Sequence, residues 1–239
     1  MKNSSEHPVL TKEQIDSVLA LYSNGQYQEA IDKIKVLNEK YPNVPLLFNL
    51  IGACYKALGK LEESIQMYKA AVNIKPDYAE AHNNLGTVFK DLNHLDDAFK
   101  CFKKAISLKP DYVDANYNLA IMYQELGQFQ DSVKSFLRAI SLNPNFADAY
   151  INLSISLREL GNIDDAIKNL ETAISINPNF AEAHNNLGSC LQELGQFNTA
   201  IKSLETAISI QPNLAEAHNN LVFVYFKKYD KVNAIKLYK

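Results

Sequence analysis

Tryptophan is absent from the 239 residues, and cysteine appears only at Cys54, Cys101 and Cys190. Three widely spaced thiols, without a CxxC pair or a Cys/His ligand spacing, argue against a disulfide scaffold or a zinc site and suit a reducing compartment. No apolar run nears the ~20 residues of a membrane span. The opening MKNSSEHPVL lacks the apolar core of a secretory signal, so a cytoplasmic chain is expected. Excess charge is missing too. The net charge of −3 and pI near 6.0 supply no drive toward phosphate backbones or anionic lipid, so no nucleic-acid or membrane partner is expected. Signatures of catalysis are likewise wanting: there is no GxSxG, HExxH, phosphate loop or dinucleotide glycine fingerprint. The string NLGSC (186–190) falls within a helical pattern, where a nucleophile elbow cannot form. No enzyme activity, cofactor or metal is expected of this segment.

What is present is a copied unit. A 47% hydrophobic and 21% charged composition supports a folded core. Pro42, Pro76, Pro110, Pro144, Pro178 and Pro212 lie 34 residues apart, and Gly25, Gly59, Gly127, Gly161 and Gly195 keep the same measure. Asn93, the other residue that tolerates a left-handed backbone, fills the missing glycine place. With each of these prolines at position 32, a polar extension (1–10) precedes full units at 11–44, 45–78, 79–112, 113–146, 147–180 and 181–214. A partial seventh occupies 215–239, with its end inside a second helix.

The period inside each unit is helical. Ala183, Leu187, Leu191 and Leu194 form one stripe of a first helix, Gly195 ends it, and Phe197 to Ile208 repeat the pattern up to Pro212. Asp77/Glu80, Asp111/Asp114, Asn145/Asp148, Asn179/Glu182 and Asn213/Glu216 have the spacing of an N-cap and an N3 acid. Capping boxes are therefore expected at the helix starts, and caps are the expected role of these acids. Small residues sit at position 8 (Gly52, Gly86, Ala120, Ser154, Gly188) and position 20 (Ala30, Ser64, Ala98, Ser132, Ala166, Ala200, Ala234), where helices approach closely.

These residues, with an aromatic or Leu at positions 11 and 24, resemble the tetratricopeptide repeat over 11–239. Position 4 departs, with Phe48, His82, Asn116, Tyr150, His184 and His218 where the family often has Trp or Tyr. The resemblance implies an all-α fold: a right-handed superhelical solenoid of stacked antiparallel helix pairs, whose first helices line a peptide-binding groove.

Position 6 holds Asn84, Asn118, Asn152, Asn186 and Asn220, and the family geometry turns it toward the groove. Amides on packed helices ~10 Å apart would meet an extended chain, which rises ~3.3 Å per residue, about every third residue. The row is similar to the asparagine ladder of the O-linked N-acetylglucosamine transferase family, matched here by AEAHNNLG, DANYNLA and DAYINLS. A structural bond to a neighbouring helix is the alternative role for these amides. Lys90, Gln124, Arg158 and Gln192 at position 12 are further groove candidates, beside Asp91, Glu125, Glu159 and Glu193. The mostly acidic rim favours a neutral or basic protein segment. The Lys/Arg carboxylate clamp of the family is not visible. His82, His184 and His218 sit in separate units, too far apart to share a metal, and are read as packing residues.

The expected function is a protein-interaction module. The alternative is the substrate-recognition arm of a larger enzyme, a glycosyltransferase, sulfotransferase, methyltransferase or oxygenase, with its catalytic domain beyond residue 239. An RNA-binding repeat protein would want a basic groove, which the charge disfavours.

Overall fold

The structure, a computed structural model, describes the backbone of residues 10–237 and the side chains of 10–229. All regular secondary structure among these residues is α-helical. The chain forms two compact units, Met1–Ala115 and Asn116–Lys239. In the first, α1 (Lys12–Ser23), α2 (Tyr27–Lys40), α3 (Pro45–Ala57), α4 (Leu61–Ile74), α5 (Ala79–Asp91) and α6 (Leu95–Leu108) each pack on the next, and α3 also touches α5. The second contains α8 (Phe129–Leu142), α9 (Ala147–Glu159), α10 (Ile163–Ile176), α11 (Ala181–Glu193), α12 (Phe197–Ile210) and α13 (Ala215–Leu237). It also holds most of α7 (Val113–Glu125). From α8 onward each helix packs on the next, and α9, α11 and α13 form a second line of contact. First helices thus lie beside first helices within each unit.

The turn inside each pair follows from one residue. Gly59 has φ +72°, its N–H bonds the Lys56 carbonyl at 2.9 Å, and the Lys60 N–H reaches back to the Tyr55 carbonyl at 2.9 Å. This is a Schellman end, which satisfies carbonyls that a helix terminus otherwise leaves open. Asn93, at φ +60°, makes the same closure. A connection this short leaves the two helices antiparallel.

Helix starts differ from the expected capping boxes. The N-cap residues of α5, α9 and α11 are Tyr78, Phe146 and Phe180, none with a side-chain cap bond. The proline instead sits second in a turn closed by Tyr78 N–H to the Lys75 carbonyl at 3.1 Å and Phe146 N–H to the Asn143 carbonyl at 3.2 Å. Asp77 and Asn145 are consumed by these turns, and the aromatic at the cap packs inward, as Phe146 and Phe180 do. The acids Glu80, Asp148 and Glu182 become second helical residues, still at the positive helix end. Among the described residues a capping box is seen at Thr11 with Gln14, before α1.

Close packing at position 8 has a direct cause. A Cβ on Gly52 would stand 2.7 Å from the Tyr68 ring, one on Gly86 2.7 Å from Phe102, and one on Gly188 2.6 Å from Leu204. Each partner occupies position 24 of the second helix and is fully buried, worth roughly 1.5–3 kcal/mol for such a side chain. Where position 20 is Ser, its hydroxyl donates to the position 8 carbonyl: Ser64 to Gly52 at 2.8 Å and Ser132 to Ala120 at 2.9 Å.

The seventh unit departs from expectation. Where a second helix was anticipated, α13 continues without a break through Leu237. Tyr229 stands at position 15, so no glycine or asparagine supplies the left-handed residue that turns the chain elsewhere.

Candidate functional site

The position 6 amides lie on the first helices of each unit, and Asn84 in the first and Asn118, Asn152 and Asn220 in the second are half-buried. Three of them reach back to position 5 of the preceding repeat. Asn84 Nδ2 donates to Asn49 Oδ1 at 3.1 Å, Asn152 Nδ2 to the Tyr117 hydroxyl at 3.0 Å, and Asn220 Nδ2 to Asn185 Oδ1 at 2.9 Å. Asn152 also donates to the Asp148 carbonyl and Asn220 to Ser189 Oγ. The inter-repeat bond therefore exists at these three places. Asn186 is different. The residue one repeat back is Ile151, which accepts nothing, so Asn186 Nδ2 has no acceptor among the described residues and its Oδ1 takes a long 3.4 Å bond from Asn185. Asn186 is also the most buried of the row at 8% exposure.

The position 12 residues show a second inter-repeat pattern, toward position 13 of the following unit. Lys56 Nζ lies 3.2 Å from Asp91 Oδ2, and Arg158 Nε lies 3.6 Å from Glu193 Oε1. Gln124 is drawn into a buried network instead. Its Nε2 donates to the Asn152 carbonyl at 3.0 Å and to Ser156 Oγ at 2.9 Å, and Ser156 pairs with Ser132. Of the site candidates, Arg158 and Gln124 thus join neighbouring repeats, while Lys90 in the first unit and Gln192 in the second are half-buried on first helices of their own units.

In the first unit the first helices line an open cavity of about 550 Å³. Leu19 and Tyr22 of α1, Leu50, Ala53 and Lys56 of α3, and Asn84 of α5 line it, above the Tyr68 ring. Sequence reasoning singled out Asn84 but missed the apolar wall. The available signal was Leu50, which interrupts the asparagine row at position 6.

The histidines satisfy the turns: Nε2 of His82, His184 and His218 each donates to the carbonyl of the preceding Pro76, Pro178 or Pro212, at 3.0, 3.0 and 2.9 Å. No metal-holding group of His, Cys, Asp or Glu occurs among the described residues, and none of their helices is long and apolar enough to cross a membrane. Burial pushes the thiols of Cys54, Cys101 and Cys190 up to about 11.

Electrostatics divide the position 2 acids. Desolvation works to raise the Glu80 carboxyl, but Lys109 Nζ at 3.0 Å, a backbone hydrogen bond and Lys75 together hold it below the ordinary value. Glu182 is raised, first by desolvation and then by Asp148 and Glu216 on the neighbouring first helices. Tyr117, beside Asp148 and Glu182, is pushed up to about 12, mainly by burial.

Family models described as TPR repeat match residues 52–93, 86–127, 156–195 and 191–228, and others described as tetratricopeptide repeat match 113–146 and 135–168. No curated protein matches the chain. Among solved structures, MamA is 28% identical over 70% of this chain and 97% of its own, with a TM-score of 0.63. YrrB, described as a TPR protein with an unusual peptide-binding site, is 22% identical over 78% of this chain and 96% of its own, at TM-score 0.65. PilW, described as a type IV pilus biogenesis factor, is 21% identical over 89% of this chain and 100% of its own, at TM-score 0.78. At such identities YrrB and PilW speak for the fold alone.

Proposed function

Because the chain belongs to the tetratricopeptide repeat family, we propose that it is a non-catalytic protein-interaction scaffold that holds an extended segment of another protein against its first helices. The cavity of the first unit carries this reading. About 550 Å³ is the size of a small ligand pocket, and its walls come from positions 6, 9 and 12 of successive first helices. Leu19, Leu50 and Ala53 offer an apolar seat for a side chain, while Asn84 and Thr87 at the edge suit main-chain polar groups. A peptide-binding site in YrrB, a TPR protein of the same fold, supports the reading by analogy. Lys90 would extend the contact on the first helices of the first unit, and Asn118 and Gln192 would offer a similar contact on those of the second.

The test is selection of binding peptides by display, followed by titration of a selected peptide into wild type and Ala53→Arg. The arginine fills the cavity from a helical position that favours it. Loss of at least about tenfold in affinity, with unchanged circular dichroism, is expected. Equal affinity for both proteins would remove the cavity from the binding surface.

A further inference from the structure

We propose that α13 pairs antiparallel with α13 of a second copy of this chain, so that residues 230–239 of each copy serve as the second helix of the other's seventh repeat. The surface belongs to the second unit and does not depend on the scaffold reading.

An uncovered stripe marks the place. In unit six, Ala181, Asn185, Gly188 and Leu191 form a buried line along α11. Its own second helix closes that line, with Leu204 Cγ only 2.6 Å from where a Gly188 Cβ would stand. The same positions on α13 are Ala215, Asn219, Val222 and Tyr225, and all four are exposed. Val222 is 70% exposed and Tyr229 68%, with Phe223, Tyr225 and Phe226 open beside them. The other exposed large apolar side chains described in the second unit are the scattered Leu126, Leu137 and Leu194. A groove of about 480 Å³ runs among Tyr225, Phe226, Lys228 and Tyr229. The opposite face of α13 is satisfied, since Val224 is fully buried with Leu191, Ala200 and Leu204. A concentrated apolar face of this kind marks an interaction surface.

Repeat position identifies the occupant. Position 8 of unit six meets Ala200 and Leu204, positions 20 and 24 of α12. Unit seven carries Ala234 and Tyr238 at those positions, and the triplet Ala-Ile-Lys at positions 20–22 recurs letter for letter in units five, six and seven. A second helix is therefore specified. Yet the 23-residue α13 runs straight through Leu237. At ~1.5 Å per residue this carries position 234 ~18 Å along the axis beyond Val222, out of its own reach. The other units turn at position 15 on a left-handed glycine or asparagine, and here that residue is Tyr229. A bulky side chain meets a steric penalty in that conformation. The second-helix half of another copy has no such constraint. Two α13 helices laid antiparallel, with Val222 of each level with Ala234 of the other, are symmetric about an axis near Tyr229 and make the same contact twice. Exchange of an identical element is a low-cost route to a dimer.

Area decides that the second-helix halves take part. At roughly 150–250 Å² for an aromatic side chain, the open fractions of Phe223, Tyr225, Phe226 and Tyr229 leave ~450 Å² per copy, or ~900 Å² over a pair. A specific interface wants ~1,200 Å² or more. First-helix halves alone fall short, and the exchanged halves supply the rest.

Analytical ultracentrifugation of the full chain from ~1 to ~100 µM should show a reversible dimer. A mixture of Val222→Cys and Ala234→Cys proteins, oxidised under native conditions, should give disulfide-linked pairs with one chain of each kind, identified by mass spectrometry. Positions 8 and 20 are close enough for this, as Ser64 Oγ reaches the Gly52 carbonyl at 2.8 Å. In the Val222→Cys/Ala234→Cys protein the disulfide should form between chains. Adding Tyr229→Gly, which supplies the missing left-handed residue, should move it within one chain, whereas Tyr229→Ala, which removes the same ring and keeps the helix, should not.

A monomer throughout the concentration range, or an assembly that grows beyond two copies, overturns the proposal. So does a dimer that yields no mixed disulfide, because another face then joins the copies. A disulfide within one chain while Tyr229 is in place would show the second helix folding back on its own repeat, and the exchange fails. Identical disulfide patterns in the Tyr229→Gly and Tyr229→Ala proteins would remove the hinge on which the exchange depends.

Discussion

Asn84 and Asn49 stand 35 residues apart in the chain, and a 3.1 Å hydrogen bond joins their carboxamides across two stacked repeats. The same step links Asn152 to Tyr117 and Asn220 to Asn185. A neutral hydrogen bond of this kind contributes about 1 kcal/mol net, and more is lost when its removal strands a partly buried partner. Asn84→Ala, Asn152→Ala and Asn220→Ala should therefore each lower stability by about 1–2 kcal/mol in urea unfolding. Asn186→Ala, which has only a long bond to lose, should fall within about 0.5 kcal/mol of wild type. A uniform loss across the four would contradict the distinction between tying and open amides.

This contrast shows where sequence reading succeeds and where it stops. The proline and glycine rulers, the helical period and the small residues at position 8 are local and repeated, so the helix pairs and their turns were legible. The capping pattern misled because Asp77 and Glu80 satisfy two descriptions, a capping box or a proline turn followed by an early acid. The choice falls to the inward packing of an aromatic such as Phe146, which pattern alone does not weigh. The asparagine row was legible as a row, but its hydrogen bonds depend on position 5 one repeat back. Only the packed pair shows that Tyr117 accepts and Ile151 cannot.

Position 8 supplies a sharper packing test. A methyl on Gly188 would press on Leu204 Cγ at 2.6 Å and approach the Ala200 carbonyl oxygen at 3.3 Å, while one on Gly86 meets the Phe102 ring at 2.7 Å. Relief requires the two helices to separate or a core side chain to leave its rotamer. Gly86→Ala and Gly188→Ala should each destabilise by about 1–3 kcal/mol, despite alanine's better helix propensity. A stabilised variant in thermal melting would mean that these pairs have slack.

The cysteines make a reactivity prediction. With Cys54, Cys101 and Cys190 each pushed up to about 11 by burial, the native thiolate population at pH 8 lies about two orders of magnitude below that of an open cysteine. Labelling by a thiol-disulfide reagent should be slow in the native chain and fast in guanidinium, with three thiols released on unfolding. Rapid native labelling of any one would show that its helix pair opens.

Glu182 links charge to stability with a definite sign. Its carboxyl is raised above the ordinary 4.5 by desolvation and by the repulsion of Asp148 and Glu216. The folded chain therefore binds this proton more firmly than the unfolded chain does, and stability falls as pH rises through the raised value. Glu182→Gln removes the penalty. At neutral pH the variant should melt about one to two degrees above wild type, since the site is exposed and the repulsion is screened. Below pH 4.5, where the carboxyl is protonated in both states, the two melting temperatures should converge. Added salt should narrow the neutral-pH gap as well, because it weakens the repulsion that adds to desolvation. A Glu182→Gln protein less stable than wild type at neutral pH would mean that the carboxylate has an attractive partner, and the acidic row would lose its character as an open, self-repelling surface.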